Sequence, residues 1–233
     1  ARVSFYTGPR GIGKTVLLIA LEVPALERGW ITIHETCTPG LTDRLTHHRL
    51  PKVHAYLTAP PPKRRATGAA GAAVGSISWE HAPETPPDLR GWIERITDIL
   101  GERDSGLLIT LDEIHPAHLD ELVPIATVLQ HAIREDRQIA FAGAALSSSR
   151  KGIQRGDSTT FLRRSDWHEI GRIPLPEAQV ALRDPIIASG RRITPDAAEQ
   201  AAQQTRGYSF LVPLLGDLML KNRPDEQVIT ADD

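Results

Sequence analysis

The chain has 233 residues, 40% of them hydrophobic and 24% charged, with a formal net charge of −2. That length suits one large domain, or a main domain with a small satellite, and leaves ample residues for a core. Near-neutrality excludes a globally basic nucleic-acid binder, the single cysteine (Cys37) excludes an internal disulfide framework, and no apolar run reaches the roughly 20 residues of a membrane helix. A reducing, cytoplasmic setting with no membrane partner is therefore expected. No secretory signal precedes the first apolar run, and the chain opens without Met, so it reads as a domain excised from something longer.

In chain order, Arg2–Thr7 alternates apolar and polar residues, which predicts a strand running into a glycine-rich turn. Lys14–Glu27 has helical spacing and can stop at Gly29, and Trp30–Glu35 alternates again as a second strand. Strand, glycine loop, helix and strand thus fit in about 35 residues, the size of a βαβ unit. A helix is expected around Leu41–Leu50. Residues 58–76, with PPPKRR followed by Gly and Ala, read as a flexible insertion, with a short strand at Ser76–Trp79. Asp88–Leu100 places Leu89, Trp92, Ile93, Ile96 and Leu100 on one helical face.

Gly106–Leu111 (GLLITL) is a compact apolar run, as in a strand buried on both faces of a parallel sheet. Leu119–Arg134 reads as an amphipathic helix and Gln138–Ala142 as another buried strand. A polar, basic stretch over Leu146–Arg164 precedes a last strand at His168–Ile173. After Pro176 the strand signals stop, and Glu177–Ser189, Thr194–Thr205 and Tyr208–Leu220 read as helices. The expected architecture is a three-layer α/β/α fold with a mainly parallel five-stranded sheet over 1–174, followed by a small helical lid over 175–233.

Two motifs carry chemistry. Gly8-Pro9-Arg10-Gly11-Ile12-Gly13-Lys14-Thr15 matches the phosphate-loop pattern, with Val16 next in line. Glycines let backbone N–H groups turn inward around phosphate oxygens, and the helix that starts near Lys14 adds its positive dipole end. Lys14 is placed to reach the β- and γ-phosphates and Thr15 to ligate Mg²⁺. The second motif, LLITLDE, ends a buried strand in two carboxylates at the ligand edge of such a sheet. Asp112 is placed to hold Mg²⁺, and Glu113 to polarise the water that attacks the γ-phosphate. ATP or ADP with Mg²⁺ is the expected ligand set.

The phosphate loop, LLITLDEIH, a following buried strand, a basic turn and a helical tail together resemble the AAA+ P-loop ATPases. More narrowly they are similar to the branch of origin-recognition-like initiators and STAND signalling ATPases. Two further stretches carry the likeness: GSISWE before the helix that leads to GLLITLDEIH, and the tail LPEAQ with ITPDAAEQAAQQTRGYSFLVPLLGDLML. The resemblance implies adenine as the base and an ATP-hydrolysing switch inside a larger regulatory or DNA-associated protein. It also implies a γ-phosphate sensor at the end of the strand after Asp112-Glu113. QIAFAGAALSSSR offers no Asn there; Ser147 or Ser148 is nearest, with an ordinary Ser-rich loop as the alternative. An arginine finger, presented to a neighbouring subunit of a homo-oligomer, falls on Arg163 or Arg164; a solvated pair or ion pairs with Asp157 and Asp166 are the alternative. Arg206 lies near the usual lid arginine but in no matching motif, so slow hydrolysis without a partner is expected.

Lys63-Arg64-Arg65 could grip DNA phosphates or be a solvated loop. His34, Cys37, His47, His48 and His54 match no zinc spacing. His115 falls near the ligand edge or is merely exposed. Two other functions compete: a P-loop kinase moving the γ-phosphate to a small molecule with the FLRR arginines, and a scaffold that holds nucleotide without hydrolysing it. Glu113 speaks for water as acceptor, and no small-molecule pocket is legible.

Overall fold

The computed structural model describes residues 2–59, 86–155, 160–222 and 227–231. The insertion from residue 60 on, with Lys63-Arg64-Arg65 and the expected strand at Ser76–Trp79, lies outside these, as does Asp157.

Strand β1 (Val3–Thr7) alternates buried and half-buried side chains, as its sequence predicts, and runs into the glycine loop. Helix α1 (Lys14–Glu27) follows, then β2 (Ile31–Thr36). The helix expected over Leu41–Leu50 is longer and changes pitch: α2 (Leu41–Arg44), a π-turn over Leu45–Arg49, then α3 (Leu50–Thr58). Pro51 explains the widening. It has no N–H to give and its ring crowds the carbonyl four residues back, which a wider turn accommodates. Helix α4 (Leu89–Gly101) is capped by Asp88, whose side chain accepts the Gly91 N–H at 2.8 Å.

Next come β3 (Leu107–Ile114), a 3₁₀ turn at Pro116–His118, α5 (Leu119–Arg134) and β4 (Ile139–Ala145). The basic stretch forms two short helices, α6 (Ser149–Arg155) and α7 (Thr160–Arg163). The last strand of the sheet, β5 (Asp166–Glu169), begins two residues before the expected position. Its side chains are mostly exposed, so hydrophobic pattern does not mark it. It is held by parallel pairing with β1 and by Trp167 stacked on Phe5 at 4.4 Å.

All five strands are parallel, in the order β2-β3-β4-β1-β5. One face packs against α3, α4 and α5 through Phe5, Ile93, Ile96, Ile109, Leu122 and Leu129. On the other face Leu18 of α1 sits against Ala142 and Ala144 of β4. This is the expected three-layer α/β/α fold.

The tail holds α8 (Leu175–Ala188), α9 (Pro195–Thr205) and α10 (Leu211–Asn222), with a core of Ala178, Leu182, Ala201, Ala202 and Val212. It is not all helix. Between and after the helices, β6 (Arg192–Ile193) and β7 (Val228–Ile229) pair in parallel. Two-residue strands carry no periodicity, and their pairing is non-local. Among the described residues, no helix is long and apolar enough to cross a membrane.

Candidate functional site

The glycine loop folds tightly where β1 meets α1. Gly11 and Gly13 have φ of +74° and +97°, a conformation that side chains resist, and Gly13 opens α1 without a side-chain cap among the described residues. The first-turn N–H groups of α1 thereby face the same space as the loop. Gly8 is pinned to the sheet, its N–H donating to the Ala145 carbonyl at 3.3 Å. Ile12 turns inward and is 3% exposed, so it anchors the loop rather than lining the cleft. Pro9 and Arg10 are exposed.

Lys14 curls back over this loop, its Nζ donating to the carbonyls of Gly8 at 3.1 Å and Pro9 at 2.8 Å. Burial lowers its pKa from the ordinary lysine value, and nearby Arg10 adds to the lowering, while Asp112 and Glu113 oppose it. An incoming phosphate would favour the charged form.

The end of β3 faces the loop. Asp112 is 7% exposed; its Oδ2 accepts from the Thr15 hydroxyl and its Oδ1 from the Glu113 N–H at 2.7 Å. Glu113 has φ +54°, and the β3–β4 register shifts between Leu111 and Ile114. This kink exposes Glu113 between two buried neighbours, Asp112 and Ile114, and puts it on the cleft wall.

The cleft has a volume of about 840 Å³ and gathers Arg10, Gly11, Gly13, Lys14, Thr15 and Val16 on one side and Asp112 and Glu113 on the other. Three sets of lining residues were missing from the sequence reading. Cys37 and Thr38 enter from the loop after β2, where Arg44 donates to the Thr36 and Pro39 carbonyls and the Thr38 hydroxyl. Burial pushes the Cys37 thiol up to about 11, against the bond from the His115 backbone N–H. His118 joins His115 beyond the kink. Ser209, Phe210 and Pro213 come from the tail, where the Phe210 N–H and the Ser209 hydroxyl both donate to the Gly11 carbonyl at 3.3 Å. The turn TRGYSF was the only sequence signal for this last contact.

Other expected residues lie elsewhere. Ser147 does not line the cleft; its hydroxyl donates to Glu169 Oε1 at 3.1 Å, and Ala145 and Leu146 hold the cleft wall at the end of β4. Arg163 and Arg164 are exposed and outside the cleft, as is Arg206.

No model of a known protein family matches the sequence, and no curated protein matches it. Solved structures do match in shape. Cdc6p from Pyrobaculum aerophilum superposes with a TM-score of 0.57 at 15% identity, over 97% of this chain and 57% of that one. ORC2 from Aeropyrum pernix, in ADPNP–ADP complexes, gives 0.58 at 12% identity, over 100% and 60%. ORC1 from the same organism, in complex with DNA, gives 0.50 at 16% identity, over 97% and 56%. The chain therefore spans under two thirds of the length of these proteins, and at such identities the likeness speaks for the fold. That fold is the one shared by AAA+ P-loop ATPases, origin-recognition-like proteins among them.

Proposed function

We propose that this chain is an ATP-binding and ATP-hydrolysing switch module of the AAA+ type, working in the cytoplasm within a larger regulatory or DNA-associated protein. One observation carries the reading: Lys14 and Thr15, just beyond the end of β1, and Asp112 and Glu113, at the end of β3, line a single cleft at the same edge of the parallel sheet. In this reading the N–H groups of Gly11 and Gly13, with Lys14, bind the phosphates. Thr15 and Asp112 supply hydroxyl and carboxylate oxygens, the hard donors that Mg²⁺ prefers, and they already meet in a hydrogen bond. Bound there, the ion would draw charge from the β- and γ-phosphate oxygens. Glu113, exposed on the cleft wall, accepts the proton of the attacking water.

Residues 175–233 act as the lid, closing on the loop through Ser209 and Phe210. Arg163 or Arg164 is offered to the cleft of a neighbouring copy, where a cation would offset charge on the transferring phosphoryl group. Turnover without that neighbour is slow, because Ser147 is engaged with Glu169 and Arg206 stands outside the cleft. DNA or an effector protein, bound through other segments, sets the switch.

Phosphate release from ATP, alone and with DNA, tests this in the wild type and in Glu113→Gln. Retained ATP binding with release reduced a hundredfold or more supports the reading. Equal release from both proteins removes Glu113 from the mechanism.

A further inference from the structure

A triphosphate in this cleft would meet Lys14 on the glycine-loop side of its γ-phosphate and would need a donor from the opposite side. The end of β4 does not supply it, since its cleft wall is Ala145 and Leu146 and the Ser147 hydroxyl is turned to Glu169. The tail does not either, because the Ser209 hydroxyl and Phe210 N–H are both given to Gly11. Arg10 lines the cleft, but from the same loop as Lys14, where it adds to phosphate affinity in general.

Beyond the kink at Glu113, the wall carries His115 and His118, their rings 6.4 Å apart and steeply inclined at 60°. His115 is not a loose surface ring. Its Nδ1 accepts the Ala117 backbone N–H at 3.1 Å, closing the start of the 3₁₀ turn and fixing the imidazole against the backbone. A neutral imidazole that accepts at Nδ1 carries its hydrogen on Nε2, so that nitrogen is a donor. The side chain is exposed on the cleft wall just past the carboxylate placed to handle water.

We propose that His115 is the residue through which this cleft distinguishes a nucleoside triphosphate from a diphosphate, its Nε2–H donating to the terminal phosphate. The inference rests on the ATP reading above. It moves the sensing group from the end of β4 to the end of β3, beside the water-handling glutamate. Because the backbone already holds the ring, little rotamer freedom is lost when the phosphate arrives.

The test is equilibrium binding of ADP and of the non-hydrolysable β,γ-imido analogue of ATP, with Mg²⁺, to the wild type, His115→Ala, His115→Ser and Lys14→Ala. Serine keeps an acceptor for the Ala117 N–H but is too short to reach across the cleft. Both His115 variants should weaken the ATP analogue about tenfold relative to ADP, the worth of one hydrogen bond to a charged group. Thermal unfolding of His115→Ser should match the wild type. If the two nucleotides weaken together, or if His115→Ser keeps the wild-type preference, the inference is overturned while the ATP reading stands. If Lys14→Ala binds both nucleotides like the wild type, the ATP reading falls and takes the inference with it.

Discussion

The hydroxyl of Thr15 donates to Oδ2 of Asp112, joining the first turn of α1 to the end of β3 across 97 positions of sequence. With Oδ1 taken by the Glu113 N–H, both oxygens of this buried carboxylate are satisfied. Thr15→Val removes one partner and leaves an under-bonded buried carboxylate, so the fold should lose about 1–3 kcal/mol in denaturant unfolding. In nucleotide titrations the same variant should lose its response to Mg²⁺, and Thr15→Ser should restore both. A Thr15→Val protein with wild-type stability and Mg²⁺ dependence would remove the pair from the proposed metal site.

Glu113 offers a test of backbone rather than side chain. Its left-handed φ of +54° is tolerated by Asn and strained for β-branched residues. Glu113→Ile should therefore destabilise by about 1–3 kcal/mol although the position is exposed, whereas Glu113→Asn should hold or gain stability. Both should lose the hydrolysis proposed for Glu113, read as phosphate release from ATP. Equal unfolding midpoints for the two variants would mean the kink is absent in solution.

Gly13 meets the lid. A Cβ added there would lie 2.5 Å from Ser209 Oγ, and at φ +97° any side chain is strained. Gly13→Ala should cost about 1–2 kcal/mol from backbone strain, plus the overlap. Ser209→Gly relieves only the overlap, so the double mutant should be more stable than additivity allows by at least about 0.5 kcal/mol. Strict additivity in thermal unfolding argues that the tail turn does not rest on the loop.

Glu35 sets an acid limit. Burial works to raise its carboxyl, but the hydrogen bonds and charges of Arg49 and Arg44 outweigh it and hold the value below the ordinary 4.5. A carboxylate held low stabilises the fold above about its unfolded value and loses that contribution as pH falls through the folded one. Arg49→Ala raises the folded value, so acid unfolding should begin at a higher pH than in the wild type. Coincident acid transitions by circular dichroism would count against this ion pair.

Much of this was legible in the sequence where short-range signals dominate. The bounds of α1 and α5 follow from helical spacing, and the glycine loop and Asp112-Glu113 announce themselves by residue type. Strands β3 and β4 run three residues past their apolar cores, because pairing with each other and with β1 continues where hydropathy fades. Strand β5 escaped for the same reason: Ile170 and Ile173 drew the expectation onward, while the actual strand is held by Phe5 and Trp167. The cleft residues Cys37 and Thr38 arrive from the loop after β2, and nothing local marks them. Ser147 lies two residues beyond the end of β4 and bonds sideways to Glu169, a tertiary choice that sequence spacing does not encode.

Strand β4 lies between β1 and β3, so two strand spacings, on the order of 10 Å, separate the end of β1, where the glycine loop begins, from the end of β3, which carries the carboxylates. The sheet itself is thus a spacer gauge for whatever lies between Lys14 and Glu113. The gauge is machined from small residues: Ala142 and Ala144 face Leu18, and a Cβ on Gly143 would fall within 3.0 Å of Ile114, Phe5 and Phe141. Side-chain bulk introduced into this strand would spread both jaws at once, and with them the proposed phosphate grip and water placement, without touching either.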